Sequence, residues 1–115
     1  MALLALLGAL IFPRASKQEY RVADVTKPET ITLTKESGQG NIHSFSITGS
    51  GQIDGNATIT IFLNGKPYKI EQLSDRVHFH WGGDWYSDSA EIKYEPLSVK
   101  VGSLVLKYRF SDTSK

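Results

Sequence analysis

The sequence lacks cysteine altogether, which excludes disulfide bonds, catalytic thiols and cysteine-ligated metals. It also lacks an excess of either charge, because 13 Lys and Arg face 12 Asp and Glu in 115 residues. Proteins that bind nucleic acid usually carry a clustered basic face, so this balance predicts no nucleic-acid partner. No apolar run reaches the roughly 18 residues of a membrane-spanning helix, so we expect no stable membrane span.

The N-terminal segment differs in composition from the rest of the chain. Residues 2–12 form an unbroken apolar run that ends at Pro13, and its length is typical of the apolar region of a secretory signal peptide. No Lys or Arg precedes the run, and Pro13 is poorly placed for cleavage after Ala15. We interpret residues 1–15 as a signal peptide or a remnant of one, with a buried or partner-packing helix as the alternative. The protein is then secreted, or located in the periplasm or cell envelope.

Residues 16–115 alternate between apolar and polar side chains, which is the pattern of half-buried β-strands. Asn64-Gly65 is the strongest turn signal, because both residues tolerate the positive φ of a two-residue hairpin turn. Further turns are predicted at Gly49-Ser50-Gly51, Asp54-Gly55-Asn56 and Gly82-Gly83-Asp84. The pattern predicts a single all-β domain, an antiparallel β-sandwich of seven or eight short strands. These strands cover about 19–25, 29–35, 41–48, 57–63, 67–73, 76–81, 90–95 and 98–110.

Two histidines lie in the run His78-Phe79-His80-Trp81-Gly82. On a strand, alternate side chains lie on one face about 7 Å apart, a spacing that zinc sites use with further ligands from other strands. The run resembles the zinc strand of α-carbonic anhydrases, in which both histidines of such a strand are ligands. That family takes a third histidine from a neighbouring strand, whereas the strands predicted after this run contain none. We expect no cofactor, and zinc bound by His78 and His80 is the alternative.

The alternation also predicts where the three histidines point. Val77, Phe79 and Trp81 should face the core, so His78 and His80 should face solvent or a ligand. His43 shares its predicted strand face with Phe45 and Ile47, and is therefore expected to point towards the core.

Aromatic residues cluster around the predicted Gly-Gly turn. Trp81, Trp85 and Tyr86 lie within six residues, beside Asp84. Exposed rings next to an acid are a common means of holding sugars or extended peptides. We therefore predict a ligand-binding surface that comprises Trp85, Tyr86, Asp84, His78 and His80. Alternatively, the rings of Trp85 and Tyr86 pack back over the end of the sheet.

No catalytic residues are predicted, because the sequence contains no nucleophile elbow, phosphate-binding loop or HExxH motif. The leading hypothesis is a non-catalytic, secreted or cell-envelope binding module. Its partner is a glycan, a peptide or another extracellular or envelope protein. Two alternatives are a small zinc-binding protein or metal-dependent enzyme, and a structural domain that pairs a strand with a partner.

Overall fold

The computed structural model describes residues 18–112, whose regular secondary structure consists entirely of β-strands. The predicted all-β, antiparallel fold is confirmed. Residues 1–15, the predicted signal segment, lie outside the described residues. Within 18–112 there is no helix that could span a membrane. The six strands are β1 (Gln18–Arg21), β2 (Glu29–Thr34), β3 (Ile42–Leu63), β4 (Lys66–Asp84), β5 (Ser89–Pro96) and β6 (Gly102–Asp112).

Strand β3 is the centre of the sheet and belongs to two layers. Its first half, 42–53, pairs with β6 on one side and with the second half of β4 on the other, and β1 lies beyond β6. Its second half, 57–62, pairs with β5 and with the first half of β4, and β2 lies beyond β5. We refer to these as the first layer and the second layer. The β3–β4 hairpin runs through both.

The hairpin must bend, because a straight strand of 22 residues would span about 70 Å, whereas the longest dimension of the molecule is 43 Å. The same set of alternate residues of β3 is buried on both sides of the bend, from Phe45 and Ile47 to Ile59 and Ile61. The inner face is therefore concave, and the two layers close over one hydrophobic core.

The bend falls at residues 53–55, where the β3–β4 register shifts and Asp75 adopts a positive φ of 51°. The segment 97–101 between β5 and β6 crosses this point. The Asp54 carboxylate accepts hydrogen bonds from the backbone N–H groups of Lys100 (2.8 Å) and Val101 (3.2 Å). A Cβ atom at Gly55 would lie 1.8 Å from the carbonyl oxygen of Ser98, so only glycine allows this crossing.

The strands are fewer and longer than predicted. The strands predicted at 41–48 and 57–63 are one strand, β3, and those at 67–73 and 76–81 are one strand, β4. The predicted turns at 49–51 and 54–56 therefore lie inside β3. Gly49 serves packing rather than a turn, because the ring of Phe79 lies across it and a Cβ atom there would be 2.2 Å from the ring. The Asn64-Gly65 hairpin turn is confirmed, with φ of 54° and 78°.

The predicted orientation of the central run is confirmed, since Val77 and Phe79 are buried and His78 and His80 are exposed. The prediction for His43 is wrong. A register shift between Ile42 and Ser44 leaves His43 without a partner residue on β6, so Ile42 is buried in its place and His43 is exposed. Bulges of this kind add one residue and reverse the alternation on one side.

Replacing Asp54 with Ala is expected to lower the melting temperature at neutral pH, because the carboxylate then no longer holds segment 97–101 on the bend. The backbone hydrogen bonds from Lys100 and Val101 hold the pKa of Asp54 below its usual value. This stabilisation is therefore complete above about pH 4 and is lost as the pH falls through the lowered pKa. Thermal unfolding followed by circular dichroism should show the difference between wild type and variant shrinking towards acid pH.

The control for this change is Gln52→Ala, an exposed position on the same strand, which should alter the melting temperature little at any pH. A loss of stability from Asp54→Ala that is as large in acid as at neutral pH would contradict a role for the charged carboxylate.

Candidate ligand-binding site

The bend brings the two ends of strand β4 together. Tyr68 lies near the start of β4 and Trp81 near its end, yet their ring centroids are 5.5 Å apart. In a straight hairpin this separation along the strand would be roughly 40 Å. The tip of the hairpin therefore meets its own base, and the aromatic residues of the base gain a partner that is remote in sequence.

A second irregularity directs Tyr68 inwards. The β3–β4 register shifts after Ile61, which pairs with Lys69, so that Phe62 pairs with Pro67. Tyr68 is the extra residue of this bulge. Its ring then contacts the aromatic residues of the opposite layer although 52% of its surface stays exposed.

Tyr68, Trp81 and Trp85 form an aromatic triad. Their ring centroids lie 5.5, 6.0 and 6.1 Å apart, and all three pairs are close to edge-to-face, the favoured arrangement for aromatic pairs. Phe45 lies behind the triad, 5.3 Å from Trp85. The triad thus runs from the exposed ring of Tyr68, through the half-buried ring of Trp81, to the core.

Trp85 is buried, with only 1% of its surface exposed, and so is not the exposed ring that a binding turn was expected to offer. Its backbone N–H donates to the His43 carbonyl, and its indole N–H donates to the Ser89 carbonyl, both at 3.1 Å. Trp85 therefore fits the alternative prediction, in which its ring packs back over the end of the sheet. Its burial has two sources, since the pairing of β3 with β4 places Phe45 beside the indole and the bend brings Tyr68 against it.

Tyr86 has the opposite environment, with 76% of its surface exposed. It lies two residues after Asp84, which is the last residue of β4 and pairs with Ser44 on β3. The predicted turn at 82–84 is instead the end of β4, and the chain turns in the segment 85–88. A Cβ atom at Gly83 would lie 3.3 Å from the ring of Trp81. Because Gly83 has no side chain, this edge of the Trp81 ring is left uncovered.

A cleft separates the Asn64-Gly65 turn from the 84–89 segment. Two adjoining cavities form it, with volumes of about 180 and 210 Å³. Trp85 lines both. Their walls combine carboxylate, amide and hydroxyl groups with apolar surface, from Leu63, Asn64, Asp84, Tyr86, Ser87 and Glu91.

His78 and His80 do not share this cleft, because they lie on the outward face of β4, while Trp81 lies on the inward face. His80 makes a hydrogen-bonding contact of 2.9 Å between its Nδ1 atom and the Thr48 hydroxyl. Among residues 18–112, no group of three or more His, Asp or Glu side chains is arranged to hold a metal ion. The predicted ligand-binding set is therefore divided between two surfaces.

Sequence reasoning did not identify Tyr68, Asn64 or Glu91 as members of a site. Asn64 was recognised as a turn residue, but its position beside Asp84 depends on the bend. Tyr68 follows Pro67 in a predicted strand, and no local signal marks the bulge that directs its ring inwards.

No family model matches the chain, and no curated protein is significantly similar to it. Among solved structures, it is similar to the crystal structure of PirA, with a TM-score of 0.50 and 10% identity over 87% of this chain and 97% of that chain. It is also matched to the carbohydrate-binding module CBM36 in complex with calcium and xylotriose, with a TM-score of 0.39 and 10% identity over 85% of this chain and 94% of the other. At this identity, the likeness to PirA shows a shared fold alone.

Adjacent residues of the 85–88 segment are expected to differ sharply in their contribution to folding. Trp85→Ala removes a buried aromatic ring and should lower the free energy of unfolding by about 3–5 kcal/mol. Tyr86→Ala removes an exposed ring and should change it by no more than about 0.5 kcal/mol. Urea unfolding of both variants measures the difference, and equal effects would contradict a core position for the Trp85 ring.

Proposed function

We propose that this protein is a non-catalytic binding module whose cleft holds a glycan. The observation that carries the proposal is the junction of the aromatic triad with the cleft. The triad meets the cleft at Trp85, which lines both cavities, and Tyr86 lines one of them. The half-exposed ring of Tyr68 contacts Trp85 from the side of the triad. Aromatic rings offer apolar area to the faces of sugar rings at little entropic cost.

The polar lining suits the same ligand class. Asn64 can both donate and accept hydrogen bonds, and the carboxylates of Asp84 and Glu91 accept them from hydroxyl groups. A sugar presents apolar ring faces and hydroxyl edges together, so it matches a cleft in which rings and polar groups alternate. Trp85 supports the cleft from behind.

The proposed location is outside the cytoplasm, either secreted or in the cell envelope. The apolar run at residues 2–12 supports this, together with the change in composition after it, since four of the seven alanines lie in residues 1–15. Mass spectrometry of the protein recovered after expression of the full chain in a secreting host would test it. Loss of the first 15 residues would agree with the proposal, and their retention would contradict it.

Binding should depend on the two exposed rings. Wild-type protein titrated with a panel of neutral oligosaccharides is expected to change its tryptophan emission, because Trp81 and Trp85 adjoin Tyr68. Tyr68→Ala and Tyr86→Ala should each weaken binding about tenfold or more, as loss of an aromatic anchor does. Leu97→Ala is the matched control, since Leu97 is also an exposed apolar residue but lies in the segment that crosses the bend.

Tyr86→Ala should keep the melting temperature of the wild type, because the Tyr86 ring is largely exposed. Tyr68→Ala should lower it, because two aromatic contacts are lost, so its binding is measured at a temperature at which the variant is fully folded. Failure of every neutral oligosaccharide to bind would overturn the proposal. So would tyrosine variants that bind as tightly as the wild type.

One observation favours a second candidate, the pairing of β4 with a strand from a partner. Among the described strands, β4 pairs only with β3, so its other edge is open, and Tyr68 and Ile70 are exposed along it. Open edges accept extended peptides by backbone hydrogen bonding. A peptide whose binding is weakened by Ile70→Ala but not by Tyr86→Ala would favour this candidate over the glycan.

A further inference from the structure

The outward face of the first layer is lined differently from the cleft. Along β3 it presents three half-buried hydroxyl residues, Ser46, Thr48 and Ser50. Longer, exposed side chains stand on the strands at either side. The flanking residues are Lys107 and Arg109 on β6, and Arg76, His78 and His80 on β4.

The pairing register sets these groups in rows across the sheet. Thr48 lies between Lys107 and His80, Ser50 lies beside His78, and Ser46 lies beside Arg109. Neighbouring strands are about 4.8 Å apart, so the two flanking rows stand about 10 Å apart with β3 as the floor. We refer to this feature as the outer trough. Its width suits one extended polymer chain lying along β3.

The outer trough is strongly basic. Arg76, Lys107 and Arg109 line it, and Arg21 lies on β1 at its side. None of these four cations forms an ion pair with another residue of the described range. We compare the cross-strand rows of β1, β6, β3 and β4 from the row that contains Ser46 to the row that contains Gln52. Within these rows, Glu19 is the one carboxylate that faces outwards.

The outward face of the second layer is not basic in this way. Glu91, Lys93 and Glu95 lie there on β5, and Lys93 forms an ion pair with Glu95 at 3.6 Å. The near-zero net charge of the sequence therefore conceals a cluster of basic side chains on the first layer. A one-sided distribution of this kind attracts a partner of opposite charge.

We propose that the outer trough is a second binding surface, which recognises an acidic polysaccharide bearing carboxylate or sulfate groups. The flanking cations pair with the acidic groups, and the hydroxyl floor forms hydrogen bonds with sugar hydroxyls. Single-stranded nucleic acid is less well suited, because its binding sites usually offer large aromatic rings to the bases, and no Phe, Tyr or Trp side chain lies on the floor or flanks of the trough. This proposal is independent of the glycan proposed for the cleft.

His78 and His80 complete the β4 flank of the outer trough. They lie directly opposite Ser50 and Thr48 on β3, and imidazole nitrogens can form hydrogen bonds with the acidic groups or hydroxyl groups of a bound chain. The outward-facing carboxylate of Glu19 lies on β1, opposite Lys107 and on the far side of the trough.

The test uses polygalacturonate oligomers and dextran sulfate as probes, with neutral dextran for comparison, and measures binding by isothermal titration calorimetry at low salt. Lys107→Gln combined with Arg109→Gln should weaken the binding of at least one acidic probe about tenfold. Lys35→Gln combined with Lys93→Gln removes the same charge outside the trough and should change it less than about twofold. Neutral dextran should not bind this face.

Two further variants give the proposal a specific signature. The double variant His78→Gln, His80→Gln should also weaken the binding of the acidic probe, because it alters the β4 flank of the trough. Tyr68→Ala should retain acidic-probe binding, which separates the outer trough from the cleft. Equal losses from the two lysine-containing pairs would overturn the proposal. So would loss of binding in Tyr68→Ala, or tighter binding of a single-stranded oligonucleotide than of either acidic probe.

Discussion

The bend in the β3–β4 hairpin is the constraint on which the remainder of the structure depends. It requires that segment 97–101 cross β3 at Gly55, where no side chain can be accommodated. It also requires an acceptor for the backbone N–H groups of that segment, which Asp54 supplies. Without the bend, the alternating apolar residues of β3 would face solvent along a flat sheet. With it, they line the interior of a closed core.

The same bend creates the cleft. Asn64 belongs to the tip of the hairpin and Asp84 to its base, and they line one cavity only because the hairpin folds back on itself. The aromatic triad joins the same two ends, since Tyr68 contacts both Trp81 and Trp85. A fold that is shared with a solved structure of 10% identity therefore carries a site whose side chains must be judged on their own geometry.

Local pattern in the sequence was sufficient for the class of fold and for the direction of side chains within a regular strand. Val77 and Phe79 point inwards and His78 and His80 outwards, because period-two alternation is a property of the strand itself. His43 was misplaced because a single unpaired residue reverses that alternation. The burial of Trp85 could not be predicted, since its neighbours Tyr68 and Phe45 are remote in sequence. Phe45 reaches it through the pairing of β3 with β4, and Tyr68 through the bend.

The distribution of charge over the surface also depends on how residues remote in sequence are brought together. The sequence contains nearly equal numbers of acids and bases, which suggests an electrically neutral surface. The register of β6 and β4 against β3 places Lys107, Arg109 and Arg76 on the outward face of the first layer, whereas Glu91, Lys93 and Glu95 lie on that of the second layer. Net charge alone therefore says little about what such a sheet attracts.

The meeting of hairpin tip and hairpin base has a mechanical consequence. A molecule bound between Asn64 and Asp84 would connect the tip of the β3–β4 hairpin to its base. It would therefore oppose any motion that straightens the hairpin. Occupancy and curvature are then linked, because a ligand that binds only the curved form stabilises it by mass action. Ligand binding in the cleft would therefore stabilise the whole domain against unfolding, and a force that straightens the β3–β4 hairpin would release the ligand.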